Sequence, residues 1–116
     1  MHYRWNRETD EITLDPSYHF PADKQEFDRE RRVSEYELDG IWLSTVFLGF
    51  DHGWRGQTLL FETAAFNHWR TDIILRYEKA AEARKVHDRL VWLMNWCKAR
   101  QVARRHWVRL MKELVP

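Results

Sequence analysis

The stretch from Ile41 to Phe66 reads IWLSTVFLGF, then DHGWRG, then QTLLFETAAF. Two runs rich in aromatic and β-branched residues flank a six-residue loop holding two glycines. That combination is a β-hairpin signal from both composition and punctuation. The hairpin sets the loop residues Asp51, His52, Trp54 and Arg55 at one rim of a sheet, where they are candidate site residues.

Working outward, Val33–Leu38 alternates Ser34, Tyr36 and Leu38 against Val33, Glu35 and Glu37, a half-buried strand pattern. Asp39-Gly40 follows, the strongest two-residue hairpin turn signal. Closing that turn pairs Leu38 with Ile41, Tyr36 with Leu43 and Ser34 with Thr45. Tyr36, Leu38, Ile41, Leu43 and Phe47 then share one face. The other face of the second strand is also apolar (Trp42, Val46, Leu48, Phe50), which predicts a central strand covered on both sides. Arg70–Tyr77 alternates Ile73, Leu75 and Tyr77 against Asp72, Ile74 and Arg76. The expected sheet is therefore an antiparallel meander of Val33–Leu38, Ile41–Phe50, Thr58–Phe66 and Thr71–Tyr77. Upstream, His2–Arg7 and Ile12–Leu14 suit short strands, and Ala22–Arg32 suits a short exposed helix after Pro21.

From about Lys79 the period changes to 3.6, and Ala80–Leu114 holds no Gly or Pro. At helical spacing Ala83, Val86, His87, Leu90, Met94 and Cys97 form one stripe. Trp92, Trp96, Trp107, Leu110 and Leu114 form another, on nearly the opposite side. A ten-residue strand spans about 30 Å, which a helix covers in roughly 20 residues. A helix beginning near Tyr77 has thus crossed the sheet by about Lys98. The basic, Trp-bearing remainder either projects past it or folds back after a break. It needs a partner: the N-terminal segment, a second copy in a homodimer, or another molecule.

The chain has 116 residues, which fits one domain with an ordinary core. Its organisation reads as an N-terminal segment (1–32), the sheet (33–77) and a helical C-terminus (78–116). The fold class is α+β, a four-stranded meander backed by a long C-terminal helix with a short N-terminal helix. A lone cysteine, Cys97, forms no intramolecular disulfide, and a reducing cytoplasm is the natural compartment. No apolar leader precedes the first strands, and the longest apolar run is half of what a bilayer demands, so no membrane association is expected.

Charge is divided unevenly. Residues 1–66 carry 7 Lys/Arg against 13 Asp/Glu, and residues 67–116 carry 12 against 5. The first balance is −6 and the second +7, an asymmetry that either marks a nucleic-acid footprint or neutralises itself internally. Arg100, Arg104 and Lys112 fall within about 120° of arc on a continuous helix, with Arg105 and Arg109 close by. That places a phosphate-tracking stripe beside the Trp seam. Long basic side chains also cover apolar seams without any ligand, and the acidic Asp23–Asp39 region is a ready counter-charge. Nucleic-acid binding by such a stripe should be weak and should vanish near physiological salt.

Catalytic signals are absent from the sequence. There is no P-loop, nucleophile elbow or Gly-rich dinucleotide turn. The His52, His68 and His87 positions are too far apart in the meander for a metal site. No catalytic residue, metal or cofactor is expected. Asp51 at a loop start suits capping of local N–H groups, and Glu62, mid-strand, suits pairing with a neighbouring Arg or Lys.

Several motifs recur in an order similar to that of an uncharacterised family of small phage and prophage proteins. They are Asp28-Arg-Glu-Arg-Arg-Val33, Leu43-Ser-Thr-Val-Phe-Leu-Gly-Phe-Asp-His52, Leu59-Leu-Phe-Glu-Thr63, Arg76-Tyr77, Glu82-Ala83 and His87. The family pattern is close to DRRV…STVFLGLDH…LLFET…RY…EA…H. This chain departs from it at Trp54 and Arg55, where a Gly/Pro-rich stretch is usual, and in its longer basic C-terminus. The resemblance implies phage origin and action in a bacterial host cytoplasm, and implies no activity. Two function classes follow. One is a protein-binding accessory factor that modulates or inhibits a host or defence protein. The other is a nucleic-acid-binding module using the basic helix. The interface candidates are Trp92, Trp96, Trp107, Leu110, Arg100, Arg104, Arg105 and Arg109.

Overall fold

The computed structural model describes residues 2–19, 21–51, 53, 56–68 and 70–115. Two short strands, β1 (Tyr3–Trp5) and β2 (Ile12–Leu14), form an antiparallel pair. Helix α1 (Lys24–Arg31) begins at Asp23, whose carboxylate accepts the Glu26 N–H at 3.0 Å. That bond satisfies one of the donors left over at a helix start. The main sheet follows in the order β3 (Arg32–Leu38), β4 (Ile41–Phe47), β5 (Phe61–Asn67), β6 (Arg70–Tyr77), all neighbours antiparallel. Helix α2 (Ala80–Ala99) crosses one face, and α3 (Trp107–Leu114) follows after a break.

The β3–β4 turn is set by two left-handed residues, Asp39 (φ 52°) and Gly40 (φ 85°). That is the backbone the Asp-Gly pair favours. The register is the expected one, with Leu38 opposite Ile41, Tyr36 opposite Leu43 and Ser34 opposite Thr45. Ile41, Leu43 and Phe47 point inward and are buried with Leu60, Phe61, Ala65, Leu90 and Met94 beneath α2. Burying side chains of this kind stabilises by about 1.5–3 kcal/mol each. The N-terminal hairpin closes the upper end. Trp5 packs edge-on against Phe61, with ring centroids 5.6 Å apart. The Arg84 guanidinium lies over Trp5 and pairs with Asp10, and that bond holds the Asp10 carboxyl below its usual range.

Two expectations need correction. β4 is central, but its outer face is not covered by a second layer: Trp42 is 41% exposed and Ile73, on β6, 47%. Trp42 instead covers itself against its cross-strand neighbour Phe66, with ring centroids 5.1 Å apart. β4 also ends at Phe47 and β5 begins at Phe61, because the ladder is replaced beyond them by single bonds such as Leu48 N–H to Leu60 C=O (2.7 Å).

The C-terminal helix is two helices. Arg100 N–H bonds Trp96 C=O, Gln101 N–H bonds Lys98 C=O and Val102 N–H bonds Cys97 C=O. Gln101 takes a left-handed φ of 58°. The last two bonds and that φ make a Schellman ending, the usual stop for a helix, here without the usual glycine. A short 3₁₀ turn, Arg104–His106, then leads into α3, which folds back against α2 and β6. Trp107 (2% exposed) and Met111 are buried there, and the Trp107 indole donates to Val102 C=O at 2.8 Å. The partner of the basic remainder is therefore the chain's own α2 and β6, not the N-terminal segment.

Candidate functional site

The loop after β4 is organised by Asp51. Its carboxylate accepts the N–H groups of Gly53 (2.7 Å) and Leu59 (3.0 Å), the capping its position predicts. Gly53 has no room for a side chain, since a Cβ there would lie 1.6 Å from the Gln57 carbonyl oxygen. His52, Trp54 and Arg55 lie outside the described residues. Glu62 pairs with Arg76 across β5 and β6 at 3.1 Å, so it is engaged within the sheet.

Under α2 lies a polar chain that periodicity did not reveal. The Tyr77 hydroxyl donates to Thr63 Oγ1 (3.2 Å), Thr63 meets Thr45 (2.7 Å), and Thr45 meets His87 Nδ1 (2.8 Å). A donor order running from Tyr77 to His87 satisfies every hydroxyl and leaves Nδ1 an acceptor on a neutral ring. Burial lowers the His87 pKa and raises that of Tyr77 to about 12. All four side chains are buried, so the chain holds strands and helix in one alignment and reaches no solvent. Threonines at inward positions of adjacent strands were the only sequence hint of it. Among the described residues, no group of three His, Cys, Asp or Glu side chains is placed to hold a metal.

The two flanks of α3 carry the exposed features. Going round the helix from the buried Trp107 and Met111, Leu110 and Leu114 fall on one side, and Val108 and Lys112 on the other. The first side faces α2 and forms a groove of about 440 Å³ with Trp92, Leu93 and Trp96, with Glu113 at its edge. Trp92 is 62% exposed, Trp96 39% and Leu114 40%. Arg100 reaches over the Trp96 ring, 5.7 Å from its centroid, away from the other basic residues. Of the interface candidates Trp92, Trp96, Trp107 and Leu110, three meet at this groove. Trp107 does not: the fold-back turns it into the core.

The second side faces β6. Arg104, Arg105, Arg109 and Lys112 line a cleft with Arg70 and Asp72. The single-helix stripe is thus replaced by a cleft that drops Arg100 and adds Arg70. Asp72 is buried and pairs with both Arg70 (3.2 Å) and Lys112 (3.0 Å). Of the acidic Asp23–Asp39 region, Asp39 is the residue that meets the basic tail. Its carboxylate pairs with Lys98 (3.2 Å), and its carbonyl accepts from Arg104.

No family model, curated protein or solved structure matches this chain. Its function is therefore argued from these two flanks.

Proposed function

We propose that this protein acts by protein–protein binding, with the groove between α2 and α3 as the contact surface. One observation carries the reading. Trp92, Trp96, Leu110 and Leu114 come from two helices, face one groove and leave large apolar area in solvent. Contiguous exposed apolar surface of this kind marks interaction sites, and Trp is the residue most enriched among binding hot spots. A groove between two helices suits the apolar face of an amphipathic helix on the partner. Given the phage origin that the resemblance to small phage proteins implies, the partner in this reading is a host or defence protein that the chain modulates or inhibits. The Thr45–Thr63–Tyr77–His87 network is sealed in the core, so the surface that supports the binding reading is the apolar groove.

The test is affinity capture from nuclease-treated bacterial lysate, comparing wild type with a Trp92→Ala/Trp96→Ala variant. Both side chains are exposed, so the variant should keep its circular dichroism spectrum. A protein retained by wild type and lost by the variant supports the reading. Identical capture by both would refute it. Sedimentation distinguishes a homodimer: wild type self-associating at tens of micromolar, with the variant monomeric, would assign the groove to a second copy.

A further inference from the structure

The two walls of the groove differ, and each is the complement of the other. On α2, Arg89, Trp92, Trp96 and Arg100 recur at helical spacing, so two indoles lie between two bases on one stripe. On α3, Leu110 and Leu114 are one turn apart with Glu113 beside them. The tail's own bases, Arg105, Arg109 and Lys112, line the cleft on the other flank and leave Glu113 as the charge of this wall. Among the described residues, Arg89, Arg100 and Glu113 have no ion-pair partner. We propose that a second copy of the chain covers the groove when no foreign target is bound, related by a twofold axis running along the groove. The proposal rests on the reading of the groove as a contact surface and names what occupies it.

Three observations select this occupant. First, a groove between helices takes the apolar ridge of an amphipathic helix, and α3 of a second copy is one, with Leu114 40% exposed. Under this axis the α2 wall of each copy lies on the α3 wall of the other. Trp92 and Trp96 then meet Leu110 and Leu114 of the second copy, pairs with the same one-turn spacing. Second, charge agrees. Arg89 and Arg100 on one wall come against Glu113 on the other, and the twofold symmetry makes that match twice. An axis across the groove would instead set each wall on its own kind, bases against bases. Third, the chain exposes 7847 Å², about 1,000 Å² more than the roughly 6,800 Å² usual for a free monomer of its 14.3 kDa. A standard interface removes about 800 Å² from each partner. A foreign helix could match one wall, but a second copy matches both at once.

Sedimentation equilibrium of the full chain between about 1 and 100 µM measures this. Wild type should form a dimer and nothing larger, since an isologous contact closes on itself. Trp92→Ala/Trp96→Ala should stay monomeric, as loss of two hot-spot indoles requires. Arg89→Glu/Arg100→Glu makes both walls acidic, and Glu113→Lys makes both basic. Either variant alone should therefore associate at least about tenfold more weakly. Mixed in equal amounts the two are complementary again, and association should recover to within about threefold of wild type. All three charged side chains are exposed, so circular dichroism should show both variants folded. Arg105→Glu/Arg109→Glu, in the cleft on the other flank, should leave association within about twofold.

Wild type that is monomeric at about 100 µM would overturn the proposal. So would a mixture of the charge-reversed variants that associates no more tightly than either alone. Neither result touches the lysate capture, which decides the foreign-target reading separately.

Discussion

The two flanks of α3 lie on one eight-residue helix and have opposite chemistry. Toward α2 the surface is Leu110 and Leu114 against Trp92 and Trp96. Toward β6 it is Arg105, Arg109 and Lys112 against Arg70 and Asp72. The difference teaches that composition alone does not assign a role in this tail. Angle around the helix does, once the helix has been turned back. Trp107 and Trp96 looked equivalent on a continuous wheel; the break sends one into the core and leaves the other at a groove. Arg100 and Arg104 separate in the same way, one over an indole and the other bonded to the β3–β4 turn.

The comparison breaks most completely at the anchor the two flanks share. Trp107→Ala removes a buried indole and its bond to Val102, and such truncations cost about 3–5 kcal/mol. Urea denaturation should show a loss of that size. Both surfaces should fail together, groove and cleft alike, because α3 no longer docks. Loss of only one would mean that the flanks are positioned independently.

A second expectation concerns the core beneath both flanks. His87 is held neutral, with its folded-state pKa below the ordinary value of about 6.5. Between those two values the unfolded chain binds more protons than the folded one. Stability is therefore full above about pH 6.5 and falls as pH drops toward the folded-state value. Urea midpoints at successive pH values should show this decline, and His87→Gln should flatten it in that window. Because His87 meets Thr45 and neither flank, acid should weaken groove and cleft equally.

The hinge offers a smaller change of opposite sign. Gln101 adopts a left-handed backbone that costs about 1–2 kcal/mol for a residue bearing a Cβ. Gln101→Gly should raise stability by about 1 kcal/mol in thermal or urea unfolding, with both surfaces intact. A destabilised glycine variant would show that the Gln101 side chain holds the turn. The smallest effect belongs to the groove itself. Trp92→Ala should change stability by no more than about 0.5 kcal/mol, as exposed substitutions do, while abolishing partner capture and leaving the cleft untouched. That contrast sharpens the division between the flanks further than any core mutation can.

Much of the fold was legible from local rules. Alternation in Val33–Leu38 and Ile41–Phe47, closed by Asp39-Gly40, settles the register, because a slip by one residue would turn every inward side chain outward. The candidate site was only partly legible. Trp92, Trp96 and Leu110 were identifiable as one seam, and Arg104, Arg105 and Arg109 as one basic cluster. Arg70 and Asp72 were not, since nothing in a strand pattern says that a helix some forty residues later will lie against it.

What the sequence determined by itself was therefore what lies within reach of a period or a turn: the meander, the inner face of β4, the helix that crosses the sheet and the lopsided charge. It did not determine the inner face of β6, where Asp72 and Ile74 are buried with Tyr77 and Ile73 is exposed. Tertiary structure alone decided where the C-terminal helix stops. No Gly or Pro marks Gln101, and its left-handed backbone is locally unfavourable. Burying Trp107 and Met111 against α2 and β6 offsets that cost, and this energy depends on residues remote in the chain. The same applies to the Thr45–Thr63–Tyr77–His87 chain, whose partners are joined only when the strands and α2 are packed. Local propensity acts over a few neighbours, whereas burial is summed over the whole fold. Groove and cleft both depend on that second kind of energy.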